Sequence, residues 1–303
     1  MSTVYKMNQD WEKIFTTWAQ PPSKSEQDRC ENAEKAIRNA IASSAELNRR
    51  NIKVFTQGSY RNRTNVRQES DVDIGVLCYD VFFPVYPEGT TKETFGNVAA
   101  TYEYATFKSE VGEALISYFG AGSVHRGNKA FDLKENSYHV EADVAAFFEH
   151  RRYEIGGSYL SGVELRPDNG MPFKVINWPE QHYTNGVQKN TDTLRSYNGV
   201  VRILKSLCYL MQDQGVPAAK PIIGFLVECL VWNVPNPHFG NNTWSADLRN
   251  TLAFLFNNTI SDEKCSEWGE VSELKYLFRP SQKWTRQQAH DFISAAWDFV
   301  GFP

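Results

Sequence analysis

The sequence predicts an α+β protein, with an α+β lobe over residues 1–190 followed by a helical lobe over residues 191–303. Three observations lead to this. Ile52-Lys-Val-Phe-Thr56 and Asp71-Val-Asp-Ile-Gly-Val-Leu-Cys78 read as two strands around a polar loop. A third apolar run, Val140-Glu-Ala-Asp143-Val-Ala-Ala, carries an acid at its middle. After residue 190 the apolar spacing turns helical and stays so.

Each element has its own signal. Pro21-Pro22 precede Ser23-x-x-Glu26, a capping box that starts a helix. Cys30, Ala33, Ile37, Ala40, Ile41 and Ala45 extend it toward residues 48–51. The strand Ile52–Thr56 runs into Gln57-Gly58-Ser59. A polar loop from Tyr60 to Ser70 holds Arg61, Arg63 and Arg67, and the strand from Asp71 follows. Residues 84–100, rich in Pro, Gly and Thr, read as a loop. Phe107, Val111, Leu115 and Tyr118 mark a helix from Thr101 to Phe119, stopped by Gly120 to Gly122. His125–Lys129 and Tyr138–Phe148 read as strands around a polar turn, and 151–190 as irregular. Thr191–Gln214 is an amphipathic helix closed by Gly215 and Pro217. Pro221–Asn233 and 246–257 give two more. Thr285-x-x-Gln288 caps a last helix with Ala289, Phe292, Ile293, Ala296 and Val300 on one face.

Composition removes several classes of function. The 303 residues carry 32 Lys+Arg against 36 Asp+Glu, a net charge of −4. That balance does not suit a standing grip on long nucleic acid, although nucleotides need only local positive charge and metal ions. The five cysteines, Cys30, Cys78, Cys208, Cys229 and Cys265, are odd in number, widely spaced and without a CxxC pair. A disulfide framework or zinc ribbon is not expected, and a reducing cytoplasm is. The six histidines lack metal-ligand spacing. The first residues show no apolar signal-peptide core. The most apolar run, Ile222 to Val234, is short of a membrane span and contains Glu228.

The chemistry concentrates around Gly58-Ser59 and Asp71-x-Asp73. Residues i and i+2 of a strand point to one face, about 6.7 Å apart. Two carboxylates aimed at one place repel unless a cation sits between them, and hard divalent ions such as Mg²⁺ take such oxygens. Val72 and Ile74 face the other way, toward a core. Gly58 permits a tight turn and Ser59 offers a hydroxyl and an N–H, which suits the phosphates of a nucleoside triphosphate. Asp143, on a neighbouring strand, completes a three-carboxylate site for two metal ions. Each piece alone is commonplace; their order and spacing together are not.

With those residues in place, the chain resembles the nucleotidyltransferases of the DNA polymerase β type. Within them it is similar to the oligoadenylate synthase and cyclic GMP-AMP synthase branch. It looks most like the bacterial cGAS/DncV-like nucleotidyltransferases of antiphage (CBASS-type) systems. The resemblance rests on Gly58-Ser59-Tyr60, Thr64 and Ser70-Asp71-Val-Asp73-Ile. Downstream it rests on Tyr197-x-x-Val200-Val-Arg-Ile-Leu-Lys205 and Phe225-Leu-Val-Glu228-Cys-Leu-Val-Trp-Asn-Val-Pro235. It implies a polymerase β-type sheet with an N-terminal helix, packed against a helical lobe that completes the nucleotide-binding cleft. It implies a template-independent enzyme that makes a cyclic di- or trinucleotide from nucleoside triphosphates (NTPs), with release of pyrophosphate. Asp71, Asp73 and Asp143 would be catalytic and hold two Mg²⁺, or Mn²⁺ in their place. Gly58, Ser59 and Lys205 would bind the triphosphate, joined by Gln57, Arg202 and Tyr197 as nucleotide-binding candidates. Arg195, Arg202 and Lys205 make a basic stripe on their helix, and Trp178 is a second candidate for stacking on a base. The product would switch on an effector, and the enzyme would act alone or under the control of a companion protein. Where many relatives have a serine before the aromatic residue that opens a helix, this chain has Gly224. Glu228 reads as a buried partner for a basic group.

Two other readings stand beside this one. The chain could modify an acceptor such as RNA, protein or a small molecule. It could also be a nucleotide-sensing module without turnover, although all three acids are present.

Overall fold

A computed structural model describes residues 9–66, 71–134 and 141–303. The described chain forms two compact units. One comprises Ser23–Arg61 and Ser70–Glu180; the other, the described parts of Met1–Pro22 and Asn62–Glu69 with Gln181–Pro303. The expected single cut at residue 190 is replaced by a discontinuous division. Its cause lies in two segments. Helix α1 (Trp11–Trp18) sinks Phe15 into the helical unit and sets Trp11 6.1 Å from the Phe299 ring. Residues 62–66 are held there by hydrogen bonds described below.

The first unit is a mixed sheet of β1 (Ile52–Thr56), β2 (Val72–Val85), β3 (Val124–Arg126), β4 (Phe131–Leu133), β5 (Ala142–Tyr153), β6 (Tyr159–Leu165) and β7 (Val175–Asn177). Its strand order is β1-β2-β5-β4-β3, with β6 added on the far half of β5 and β7 on β6. β2 and β5 run parallel; the other pairs are antiparallel. Helix α2 (Lys24–Ser43) begins at the expected capping box, with Ser23 and Glu26 bonded reciprocally. It ends at Ser43, earlier than expected. Helices α2 and α4 (Tyr104–Phe119) cover one face of the sheet. Ile37, Phe107, Val111 and Leu115 pack there on Ile74, Val76, Val144 and Ala146, all wholly buried.

The irregular reading of 151–190 is corrected: β6, β7 and α5 (Pro179–Asp192) occupy it. β6 is broken in pattern by Gly162, where a Cβ would lie 2.8 Å from the Trp178 ring. The short helix α3 (Gly58–Asn62) follows β1.

In the helical unit, α6 (Ser196–Asp213) lies at the core, packed by α1, α7 (Gly224–Trp232), α8 (Trp244–Asn258) and α10 (Arg286–Val300), with short α9 (Asp262–Cys265) between the last two. The helix expected from Thr191 is interrupted. Leu194 and Arg195 take positive φ (51° and 70°), and the Thr193 hydroxyl accepts from the Tyr197 N–H to start α6 afresh. The Thr285 capping box starts α10 as expected. All five cysteines are buried and free, and no described helix is long and apolar enough to cross a membrane.

Candidate functional site

The sheet brings the predicted acids together. On the parallel pair β2–β5, Asp73 stands in register with Asp143, flanked by Val72 opposite Ala142 and Ile74 opposite Val144. The flanking side chains are buried in the core. Alternation then turns both acids, each half-buried, to the opposite face. Asp71, one residue ahead of β2, is exposed and on the same parity. Ser70 lies outside the described residues.

β1 delivers the phosphate-loop candidates to this place. The Gln57 N–H donates to the Asp73 carbonyl at 2.9 Å. Gly58 follows with φ +67°, and a Cβ there would lie 2.0 Å from Asp73 Oδ2. Only a residue without a side chain fits against that carboxylate. Ser59 is partly exposed on α3. Arg61, at the end of α3, is taken up by Glu180 at 2.5 Å, which also binds Lys53 at 3.2 Å.

One acid escaped the sequence reading. β4 sets Asp132 opposite Asp143, and β3 sets His125 opposite Asp132. The row Asp73, Asp143, Asp132, His125 thus crosses four strands. A three-residue Phe-Asp-Leu strand gives too little alternation to be noticed beside a polar turn. Burial, then the negative charges of Asp132, Asp71 and Glu141, raise the Asp143 pKa. Among the described residues no three His, Cys, Asp or Glu side chains gather tightly enough to hold a metal ion. The donors themselves are carboxylates, hard oxygen ligands that fit Mg²⁺ or Mn²⁺ rather than zinc.

The helical unit revises the other candidates. Of the expected basic stripe, Arg195 is exposed just ahead of α6, whereas Arg202 and Lys205 are buried within it. Arg202 is 6 % exposed and donates through Nε to the Ala19 carbonyl at 2.9 Å and through Nη1 to the Arg63 carbonyl at 2.5 Å. Burial lowers its pKa to about 10. Lys205 is 2 % exposed, with Nζ 3.5 Å from Glu228 Oε2. The Tyr197 ring is wholly buried, edge-on to Trp232 and Phe239, so it packs within the protein and is not open to a base. Trp178 is likewise buried, against Gly162 and the His150 ring. Apolar burial outweighs any use of these rings as open platforms. Glu228 is the buried partner expected, bonded by His182 at 2.8 Å and Thr64 at 2.7 Å. Gly224 opens α7, whose N-cap Ile223 offers no side-chain bond.

Known proteins share this arrangement over nearly the whole chain. Residues 184–301 match the family described as the cGAS/DncV-like nucleotidyltransferase C-terminal helical domain. The cyclic dipyrimidine nucleotide synthase CdnE of Cecembia lonarensis is 41% identical over 292 residues, covering 96% of this chain and 98% of that protein. The enzyme of the same name from Legionella pneumophila is 39% identical, covering 97% and 99%. The solved structure of Rhodothermus marinus CdnE c-UMP-AMP synthase with Apcpp and Upnpp superposes with a TM-score of 0.84 at 28% identity, covering 96% of this chain and 98% of that one. On this similarity in sequence and fold, the chain belongs to the cGAS/DncV-like nucleotidyltransferases, a family of cyclic nucleotide synthases.

Proposed function

We propose that this chain joins pyrimidine nucleoside triphosphates into a cyclic dinucleotide and releases pyrophosphate. The chemistry rests on one observation: Asp73 and Asp143 in register on parallel strands, with Gly58 pressed against the Asp73 carboxylate. The choice of pyrimidines follows the two relatives at 41% and 39% identity, both named cyclic dipyrimidine nucleotide synthases.

Asp71, Asp73 and Asp143 are the carboxylates that would hold the divalent metal. When bound, Mg²⁺ or Mn²⁺ neutralises phosphate charge and polarises the reacting oxygens. Gly58 and Ser59 present backbone N–H groups and a hydroxyl to the donor's phosphates, with Gln57 beside them. Lys205 is the candidate that would offer a point charge to the triphosphate. A ribose hydroxyl of the acceptor attacks the donor α-phosphorus in line. The new P–O bond forms as the bond to the bridging oxygen breaks, pyrophosphate leaves, and the hydroxyl proton passes to water. The linear product turns round and the same step closes the ring, so two pyrophosphates leave per cycle. Placement and charge neutralisation account for the rate. The released ring serves antiphage signalling by binding an effector, and a companion protein governs when it is made.

Mass spectrometry of products from single and paired NTPs, with Mg²⁺ or Mn²⁺ and no added acceptor, tests this. UTP or CTP is expected to give a phosphatase-resistant cyclic dinucleotide. Products from purines alone would overturn the base assignment. Turnover that needs an added acceptor would overturn the cyclase. The Asp71→Asn/Asp73→Asn variant is expected to keep its fold and release no pyrophosphate.

A further inference from the structure

One carboxylate in the helical unit draws together three separate segments. Glu228, in the apolar helix α7, is 3 % exposed. Its Oε2 accepts from the Thr64 hydroxyl at 2.7 Å and lies 3.5 Å from the Lys205 ammonium. Its Oε1 meets His182 Nε2 at 2.8 Å and the Asn62 side-chain amide at 3.4 Å. Burial by itself would raise its pKa; the charges of His182 and Lys205, with the His182 and Thr64 hydrogen bonds, reverse this and bring it to about 2. An apolar side chain of similar size would avoid that desolvation, so packing alone does not account for the charge.

The residues it grips point to a use. Asn62 and Thr64 lie three and five positions beyond Ser59, in the segment that continues directly from Gly58-Ser59. Helix α6 holds the same segment from one of its faces. Asn198 donates to the Asn62 carbonyl at 3.2 Å, and Arg202 to the Arg63 carbonyl at 2.5 Å. Asn198, Arg202 and Lys205 are spaced by four and three residues, so they share that face. Arg63 is held at φ 56°, a conformation that a non-glycine residue keeps only under such restraint. Three consecutive residues are thus fixed, two by α6 through their carbonyls and one by Glu228 through its hydroxyl.

We propose that Glu228 is a positioning residue for the triphosphate end of the site. It fixes the segment that continues Gly58-Ser59, and Lys205 with it, without touching substrate. This rests on the reading of Gly58-Ser59 as the phosphate loop given above.

The test is steady-state kinetics of pyrophosphate release, with melting temperature measured in parallel. Thr64→Val removes the hydroxyl at nearly constant shape; Thr64→Ser keeps it. Thr64→Val and Glu228→Gln are expected to raise the KM for NTP by ~10- to 100-fold, the range of one charge-assisted hydrogen bond. The kcat should change much less, and Thr64→Ser should return KM toward that of the unaltered chain. Glu228→Gln combined with Thr64→Val should be no worse than Glu228→Gln alone, because both break one link. Losses that multiply, or a lowered melting temperature with KM unchanged, would overturn the proposal. If Glu228→Gln does not fold, the Thr64 pair decides by itself. Ser59→Ala separates the two readings. An unchanged KM for Ser59→Ala refutes the phosphate loop, and the proposal that rests on it. A raised KM there with Thr64→Val unchanged refutes only the role of Glu228.

Discussion

Gly58→Ala probes the contact on which the site depends. The added Cβ would sit 2.0 Å from Asp73 Oδ2 and 2.9 Å from its Cγ, where side-chain carbons do not come closer than 3.0 Å. The carboxylate must therefore retreat by about 1 Å, the difference between those limits. A displacement of that size in a reacting group costs ~10²-fold in rate. The substitution also forces an L side chain to φ +67°, which costs about 1–2 kcal/mol of stability. Gly157→Ala is the control. Gly157 has φ +86° in the turn between β5 and β6, and a Cβ there meets nothing within 4 Å. It carries the same backbone penalty without moving a carboxylate. Pyrophosphate release and thermal melting should show both variants losing similar stability, and only Gly58→Ala losing ~10²-fold in kcat. If the two keep similar activity, Asp73 is not held where the chemistry needs it, and the assignment of this carboxylate fails.

Other outcomes follow from the same geometry. Gly199→Ala would put a Cβ 2.3 Å from the Trp244 ring, so overpacking of α6 on α8 should cost ~1–3 kcal/mol, less a helix-propensity gain of about 1, in a denaturant melt. Lys189 is buried, and burial lowers its pKa from 10.5 to about 8. The folded state disfavours the charged amine, so stability should rise between pH 8 and 10.5 and be flat below; Lys189→Met should remove that slope, worth up to ~3 kcal/mol, in melts across the range. The Asp143 carboxyl is raised by burial and by Asp132, Asp71 and Glu141, so its ionised form destabilises the metal-free fold at neutral pH. Asp143→Asn should therefore raise the melting temperature in chelator while abolishing turnover.

Much of the fold and of the candidate site was legible because its signals are local. Ser23 and Glu26 announce α2, and Thr285 and Gln288 announce α10, through bonds made within one turn. The order Gly58-Ser59, Asp71-x-Asp73, Asp143 could be read because each piece belongs to a strand or its end. What failed depends on partners distant in sequence. The Arg195–Arg202–Lys205 stripe reads on a helical wheel as positive charge open to phosphates, yet Arg202 is bonded to the carbonyls of Ala19 and Arg63, far away in the chain. Tyr197 could have been a platform or core, and only the arrival of Trp232 and Phe239 decides. Asp132 is informative only once its register with Asp143 is known. The boundary at residue 190 failed for the same reason, since α1 and residues 62–66 join elements that follow them by more than a hundred residues.

The placement of the acids follows from a balance of forces. Two like charges about 5 Å apart repel by roughly 1 kcal/mol in water and several times that where the dielectric falls to ~20. Each strand must resist that push when no cation is present. Val72, Ile74, Val76, Val144 and Ala146, on the alternate positions, are wholly buried. A buried Val or Ile contributes ~1.5–3 kcal/mol over an exposed one, so the apolar side of β2 and β5 outweighs the repulsion on the polar side. The pair is also parallel and continuous in register from Val72 to Cys78. A slip of one residue would turn every acid into the core and every valine out. The core therefore sets the carboxylates before any ion arrives, and a bound cation relieves a repulsion already built into the fold. Preorganisation of this kind places the proposed metal ligands at the N-terminal ends of two strands whose other face is the core.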